Sequence, residues 1–253
     1  MNTQFYHFMN AVLLSRLVYL FKDQTISRRR LYVMLAIQVL GFMWYEITWM
    51  LGGLILSMAV LTVVFYILEH RAGRLEGVRM ASLTLSVIVG SVVFSPWMHL
   101  GFNQVPGDLI RGLKNYSLLL GAVDGVAWER YGCLIMGGLL ILNEVNLPLR
   151  SLLSRLRLAP LPEEQEPVGE HALNEKEYNT GRVIGMLERT IIYVAVLNND
   201  IAAIGLVLAA KGFTRFKELE NRRFAEYVLI GTLLSAFLAV AVAFLAKTLS
   251  AWR

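Results

Sequence analysis

Apolar positions in this chain run together rather than alternate with polar ones. Between Leu31 and Leu68 the one charged residue is Glu46, and between Val228 and Ala246 there is none. Roughly 18 or more apolar residues in a row is the length a helix needs to cross the hydrocarbon of a bilayer. The pattern predicts an all-α, polytopic transmembrane helix bundle of about seven membrane helices, with six to eight as the range. They are expected at about 31–46, 51–69, 80–98, 131–149, 183–197, 201–214 and 224–246.

Three stretches break the pattern. Gln4–Phe21 is apolar with Arg16 inside it. We expect it to lie flat on the inner membrane surface, the alternative being an additional span that puts both termini outside. Residues 99–130 are mixed, punctuated by Pro106, Gly107, Asp108 and Gly112, and suit an outer cap or a re-entrant element. Residues 159–180 hold Pro160, Pro162, Glu163, Glu164, Glu166, Pro167 and Glu170. That composition reads as an acidic, solvated cytoplasmic linker. It divides the chain into an N-terminal bundle, 1–158, and a three-helix C-terminal bundle, 181–253.

Composition strengthens this picture. Of the 253 residues, 56% are hydrophobic and 17% charged, against about 25% charged in soluble domains. The first twenty residues include His7, Asn10 and Arg16 and lead to no small-residue cleavage site, so no signal peptide is expected. The lone cysteine, Cys133, lies in an apolar run and reads as a small buried residue.

Charge then orients the helices. The connections 21–30, 70–79, 150–182 and 211–223 carry seventeen of the twenty-four Lys and Arg residues. Basic residues collect in cytoplasmic loops, so these four are expected inside. Trp44, Trp49, Trp97, Trp128 and Trp252 all fall at the opposite helix ends. Tryptophan prefers the membrane boundary, with an apolar ring and one polar N–H. Topology accounts for the net charge of +5 without a nucleic acid partner.

The most informative stretch is Gly181–Lys211. Its two apolar runs flank Asn198, Asn199 and Asp200. Fifteen residues of helix reach only about 22 Å, short of a hydrocarbon core of about 30 Å. This is a tight charged hairpin, with Asp200 placed to cap its second helix and Asn198 to end its first. Folding it about Asn199 brings Glu188 to Lys211. Arg189 lies beside Glu188, and Arg215 and Glu226 can join at the inner boundary. Charge at mid-depth costs roughly 2.5–3.5 kcal/mol on insertion scales and calls for a partner. The cluster therefore has two readings. One is an ion-pair clasp holding three helices together; the other is a polar path for an ion or proton, or a site for an anionic group.

Small residues recur at helical spacing: Gly181 and Gly185 with Ile192 and Ala195; Ser82, Ser86 and Gly90; Gly231, Ser235 and Ala239. Such stripes mark helix contacts, within a chain or between subunits. Glu46 sits between Trp44 and Trp49, where it reaches water. Glu144, next to Asn143, lies deep enough to need a partner, with Arg150 a candidate. His7, His70, His99 and His171 are scattered without metal spacing, and no phosphate loop or nucleophile motif appears. No cofactor is expected.

The later half resembles a known family. Gly181-Arg182-Val183-Ile184-Gly185-Met186-Leu187-Glu188-Arg189 is similar to a motif of an uncharacterised bacterial integral-membrane family, a domain of unknown function. Ala209-Ala210-Lys211-Gly212-Phe213-Thr214-Arg215-Phe216 and Glu226-Tyr227-Val228-Leu229-Ile230-Gly231-Thr232-Leu233-Leu234-Ser235 resemble its later motifs, in the same order. Asn146-Leu147-Pro148-Leu149-Arg150 fits its preceding helix. The likeness covers about 130–245. The N-terminal half lacks the His and Asp–Phe pattern of the family's first helix. The resemblance implies a bacterial inner membrane, supplies no mechanism, and singles out Glu188, Arg189, Lys211, Arg215 and Glu226.

Function is left between classes. A homo-oligomeric pore, channel or small transporter accounts for the intramembrane charges and short helices. A non-catalytic sensor, anchor or scaffold for a cytoplasmic partner, as in a bacterial stress or phage-defence module, accounts for the basic loops and the missing chemistry. A lipid-directed enzyme would have to use Glu46, His99 and Glu144, whose spacing does not support it.

Overall fold

A computed structural model describes residues 3–20, 25–71, 75–96, 98, 100–103, 125–155, 171–214 and 222–251, with no side-chain detail for 125–128, 171–180 and 222–224. Among the described residues the chain is helical, apart from turns and one isolated bridge between Tyr45 and Phe102. The helices are α1 Thr3–Arg16, α2 Arg28–Phe42, α3 Trp49–Arg71, α4 Leu75–Val93, α5 Gly125–Leu139, α6 Asn146–Arg155, α7 His171–Leu197, α8 Ile201–Thr214 and α9 Arg222–Ala251. A 3-10 turn, Leu17–Tyr19, extends α1, and a widened π turn, Leu140–Glu144, joins α5 to α6.

Among the described residues four stretches are long and apolar enough to cross a membrane: Trp49–Arg71, Leu75–Val93, Glu129–Arg155 and Ala225–Ala251. Seven were expected, and each of the other three has a physical reason to fall short. The α2 and α8 helices have 15 and 14 residues, about 22 and 21 Å at 1.5 Å per residue. The last eighteen residues of α7 carry Arg182, Glu188 and Arg189.

Outer faces are apolar, and the enclosed faces mix apolar with polar side chains. On α3 the exposed face is Leu56, Val60, Val63, Val64 and Ile67, while Thr62 and Glu69 are buried. On α4 the exposed face includes Leu85, Val87, Ile88 and Val92, and the buried face is Arg79, Ser82, Ser86 and Gly90. Apolar surface facing outward with polar side chains enclosed is the arrangement hydrocarbon solvent favours.

The chain forms two compact units, Met1–Leu139 with Leu249–Arg253, and Leu140–Thr248. The division falls inside the apolar stretch Glu129–Arg155, whereas the acidic linker was the expected boundary. That linker is also shorter than expected: residues 171–180 are the first ten of α7. No Pro or Gly interrupts them, and Ala172, Leu173, Glu175, Lys176 and Glu177 are good helix formers. Residues 156–170 lie outside the described residues.

In the first unit α1 is central, packed on α2, α4 and α5. This corrects the expectation that Gln4–Phe21 lies flat on a surface. The Gln4 carbonyl accepts a hydrogen bond from the Tyr45 hydroxyl at 2.6 Å, beside Trp44. Arg16, at the other end of α1, bonds Ser82 and the Arg79 carbonyl. The helix therefore runs through the unit's depth, from its tryptophan end to its basic end. No single apolar face marks α1 in sequence, because neighbours surround it. Close approach is secured where Gly41 meets Ala11: a Cβ at Gly41 would stand 2.4 Å from that of Ala11. At Gly90 a Cβ would stand 2.6 Å from the Phe8 ring.

In the second unit α7 and α8 form the expected hairpin, and α9 packs on it through Ala236 and Ala239 against Ile192 and its neighbours. Ala243 and Ala246 extend this buried alanine seam.

Candidate functional site

The first unit encloses a column of hydrogen-bonded polar side chains. At the basic end, Arg79 Nε on α4 donates to Glu69 Oε1 on α3 at 3.0 Å. Arg16 NH1 donates to Ser82 Oγ at 2.5 Å, and its NH2 to the Arg79 carbonyl at 2.9 Å. Arg16, Glu69 and Arg79 are 3%, 2% and 5% exposed. The Tyr19 ring lies under both cations, 4.3 Å from the Arg79 guanidinium carbon and 5.4 Å from that of Arg16.

Deeper in, the column continues through neutral groups. Thr62 Oγ1 donates to Gln38 Oε1 at 3.2 Å, Gln38 Nε2 to Ser15 Oγ at 3.1 Å, and Ser15 Oγ to the Val12 carbonyl at 2.7 Å. On α4, Ser82 and Ser86 each bond back to a carbonyl one turn earlier, at 2.9 and 2.8 Å. Arg16, Tyr19, Gln38, Thr62, Ser82 and Ser86 face a cavity of about 20 Å³, enough for one water or a comparably small ion. Gln38 stands ten residues past Arg28, about 15 Å along α2.

Beyond it the interior becomes apolar and aromatic. Phe8, Phe42, Tyr45, Phe94, Leu54 and Met58 form one buried cluster. Phe8 stacks on Phe42 with centroids 5.4 Å apart, and Tyr45 contacts Phe94 at 5.3 Å. Glu46 N–H donates to the Gly101 carbonyl at 3.0 Å and Asn103 N–H to the Trp44 carbonyl at 2.9 Å, pinning 101–103 across this end. The first unit thus has a polar half and an aromatic half.

The hairpin of the second unit carries the predicted pair: Lys211 Nζ lies 2.5 Å from Glu188 Oε2, each side chain 17% exposed. The turn explains the register. Asn199 takes a left-handed φ of 60°, Asp200 N–H donates to the Ala195 carbonyl at 2.8 Å, and Asn199 N–H donates to that of Val196 at 3.2 Å. This is a Schellman ending. Asp200 Oδ1 accepts from Ala203 N–H at 3.2 Å, capping α8 as expected. Lys247 Nζ reaches the Val196 carbonyl and Asn199 Oδ1, a cation at a helix C-terminus.

Of the other expected members, Arg189 has hydrogen-bond partners of its own. Arg189 is 4% exposed and turns away from the pair. Its Nε donates to the Ile141 carbonyl and its NH1 to Ser235 Oγ, both at 3.3 Å. One residue along a helix rotates the side chain by about 100°, which separates Arg189 from Glu188. Gly185 leaves room for that guanidinium, 3.5 Å from where its Cβ would stand. Gly181 is half-buried, as is Gly231, which faces Leu153. Glu226 is exposed, and Arg215 lies outside the described residues. Glu144 is buried in the π turn, where Asn143 Nδ2 donates to its Oε1 at 2.9 Å. Glu46 is exposed beside Gly101. His99, Trp97 and Trp252, the side chain of Trp128, and nearly all of 99–124 fall outside the described residues.

Sequence reading missed the column in the first unit. In the sequence Arg79 belongs with the loop charges and Glu69 ends an apolar run, while Gln38 and Thr62 carry no charge to mark them. One signal was present: Arg79 extends the stripe Ser82, Ser86, Gly90 by one helical step, putting a cation on a contact face. Among the described residues no group of His, Cys, Asp and Glu is placed to hold a metal ion. No family model matches the chain, and no curated protein or solved structure is significantly similar to it.

Proposed function

We propose that this chain is a membrane channel or small transporter, with the polar column of the first unit as its conducting element. The observation that carries this reading is a buried, hydrogen-bonded polar column and cavity inside helices whose outer faces are apolar. Enclosed intramembrane polar and ionised groups typically line solute or ion paths. The aromatic cluster at the tryptophan end is the barrier, and the present arrangement is its closed form. We assign the setting as a bacterial inner membrane with the basic end cytoplasmic. That assignment follows from the loop-charge bias and the resemblance of 130–245.

The test is ion and small-solute flux through purified protein in liposomes. Wild type is expected to exceed protein-free vesicles. The double variant Gln38→Leu/Thr62→Val replaces both hydrogen-bond partners by apolar groups of similar size, which proteins tolerate well, and is expected to lower flux several-fold. Folded wild-type protein that passes nothing across a panel of ions and small polar solutes contradicts the proposal.

A further inference from the structure

We infer that the column selects a small monovalent anion of halide size, an inference that rests on the conducting role proposed above. The cluster at the basic end has a direction. Glu69 turns its Oε1 to Arg79 and is not on the cavity wall, whereas Arg16 is. The Arg79 guanidinium stacks on Tyr19, whose side chain also faces the cavity. A solute in the cavity therefore meets Arg16 directly, whereas Glu69 reaches the cavity only through Tyr19, beside which it lies. Among the described residues that line the cavity there is no carboxylate; the others with polar groups are Gln38, Thr62, Ser82 and Ser86.

Arginine suits this task for physical reasons. Its charge persists at any pH a cell reaches, and its planar, weakly hydrated fork is held in place without a hydration shell. Here the fork is fixed by Ser82 Oγ and the Arg79 carbonyl. Fixed Arg or Lys side chains are how pores favour anions over cations. The cavity holds one water or one ion of comparable size, about 20 Å³, so a halide is the anion class that needs least displacement of the walls.

The experiment is the reversal potential of wild-type protein in planar bilayers under a potassium chloride gradient, repeated with potassium gluconate. The expected result is a reversal potential close to that of chloride, and current that collapses when gluconate replaces chloride. Arg16→Gln is expected to move the reversal potential toward that of potassium by tens of millivolts. Should Arg16→Gln not be recovered folded, Arg16→Lys serves: it keeps the charge, loses the fork, and is expected to keep chloride selectivity with several-fold less current. A wild-type reversal potential at that of potassium overturns the anion inference and leaves the conducting role standing. No current with any salt overturns both. A folded Arg16→Gln protein with unchanged selectivity, or Arg16→Lys with wild-type current, overturns the role given to Arg16.

Discussion

Glu69 and Arg79 are nearly sealed from solvent and bonded to each other, so removing one leaves a charge in a place built for two. Breaking a buried pair typically costs about 3–5 kcal/mol, while exchanging both partners for apolar residues of similar volume costs far less. Glu69→Gln is expected to lose stability on that scale, and Glu69→Leu/Arg79→Met to recover only part of it because Arg16 stays buried beside the exchanged pair, read from chemical unfolding in detergent micelles. A second residue-scale contact is steric. Gly41→Ala sets two backbone-fixed methyl carbons 2.4 Å apart, and overpacking of this kind costs about 1–3 kcal/mol. Ala11→Gly in the same protein is expected to restore the loss, because it removes the other methyl group. Absence of that rescue would mean that α1 and α2 do not meet there. Neither contact was legible beforehand, since both depend on which faces of separate helices turn toward each other.

At the scale of elements, the hairpin was the most legible part of the chain. A three-residue connection, Asn198–Asp200, leaves little freedom of register, so pairing Glu188 with Lys211 follows from counting residues on either side of Asn199. Its capping chemistry follows from residue type. Asn tolerates the left-handed φ that this turn requires, and Asn199→Gly is expected to keep the hairpin. Asn199→Val is expected to cost about 1–2 kcal/mol, because a β-branched side chain collides with its own backbone there. Asp200→Ala is expected to cost about 1 kcal/mol through the lost cap. Thermal unfolding of the three variants in one detergent checks all of these. Equal stability of the Gly and Val variants would count against the turn described. The α1 helix was the least legible element. Its residues are apolar on every side, which suits both a buried helix and one lying in the headgroup region, and Arg16 looked like a surface charge until Ser82 and Arg79 enclosed it.

For the whole molecule, the apolar runs pointed to membrane-spanning helices and the all-helical class because hydrocarbon forbids most other structure. They did not give the number of spans, since α2 and α8 are apolar but short and α7 is long but charged. The polar column escaped notice for a related reason. Its members come from four helices, and Arg16 and Ser82 stand 66 residues apart, so no window of sequence contains it. Its orientation makes the account testable: water should enter from the basic end and stop at the aromatic cluster. In a Cys133→Ser background, Ser86→Cys places a thiol on the cavity wall and Met58→Cys places one in the aromatic half. The decisive measurement is their reaction with dicyanoargentate, a small linear thiol-reactive anion that does not cross lipid, applied separately to each face of oriented vesicles. The account predicts that Ser86→Cys reacts from the basic face alone and that Met58→Cys reacts from neither. A Ser86→Cys thiol as inert as that at position 58, or one reached from the tryptophan face, would contradict it.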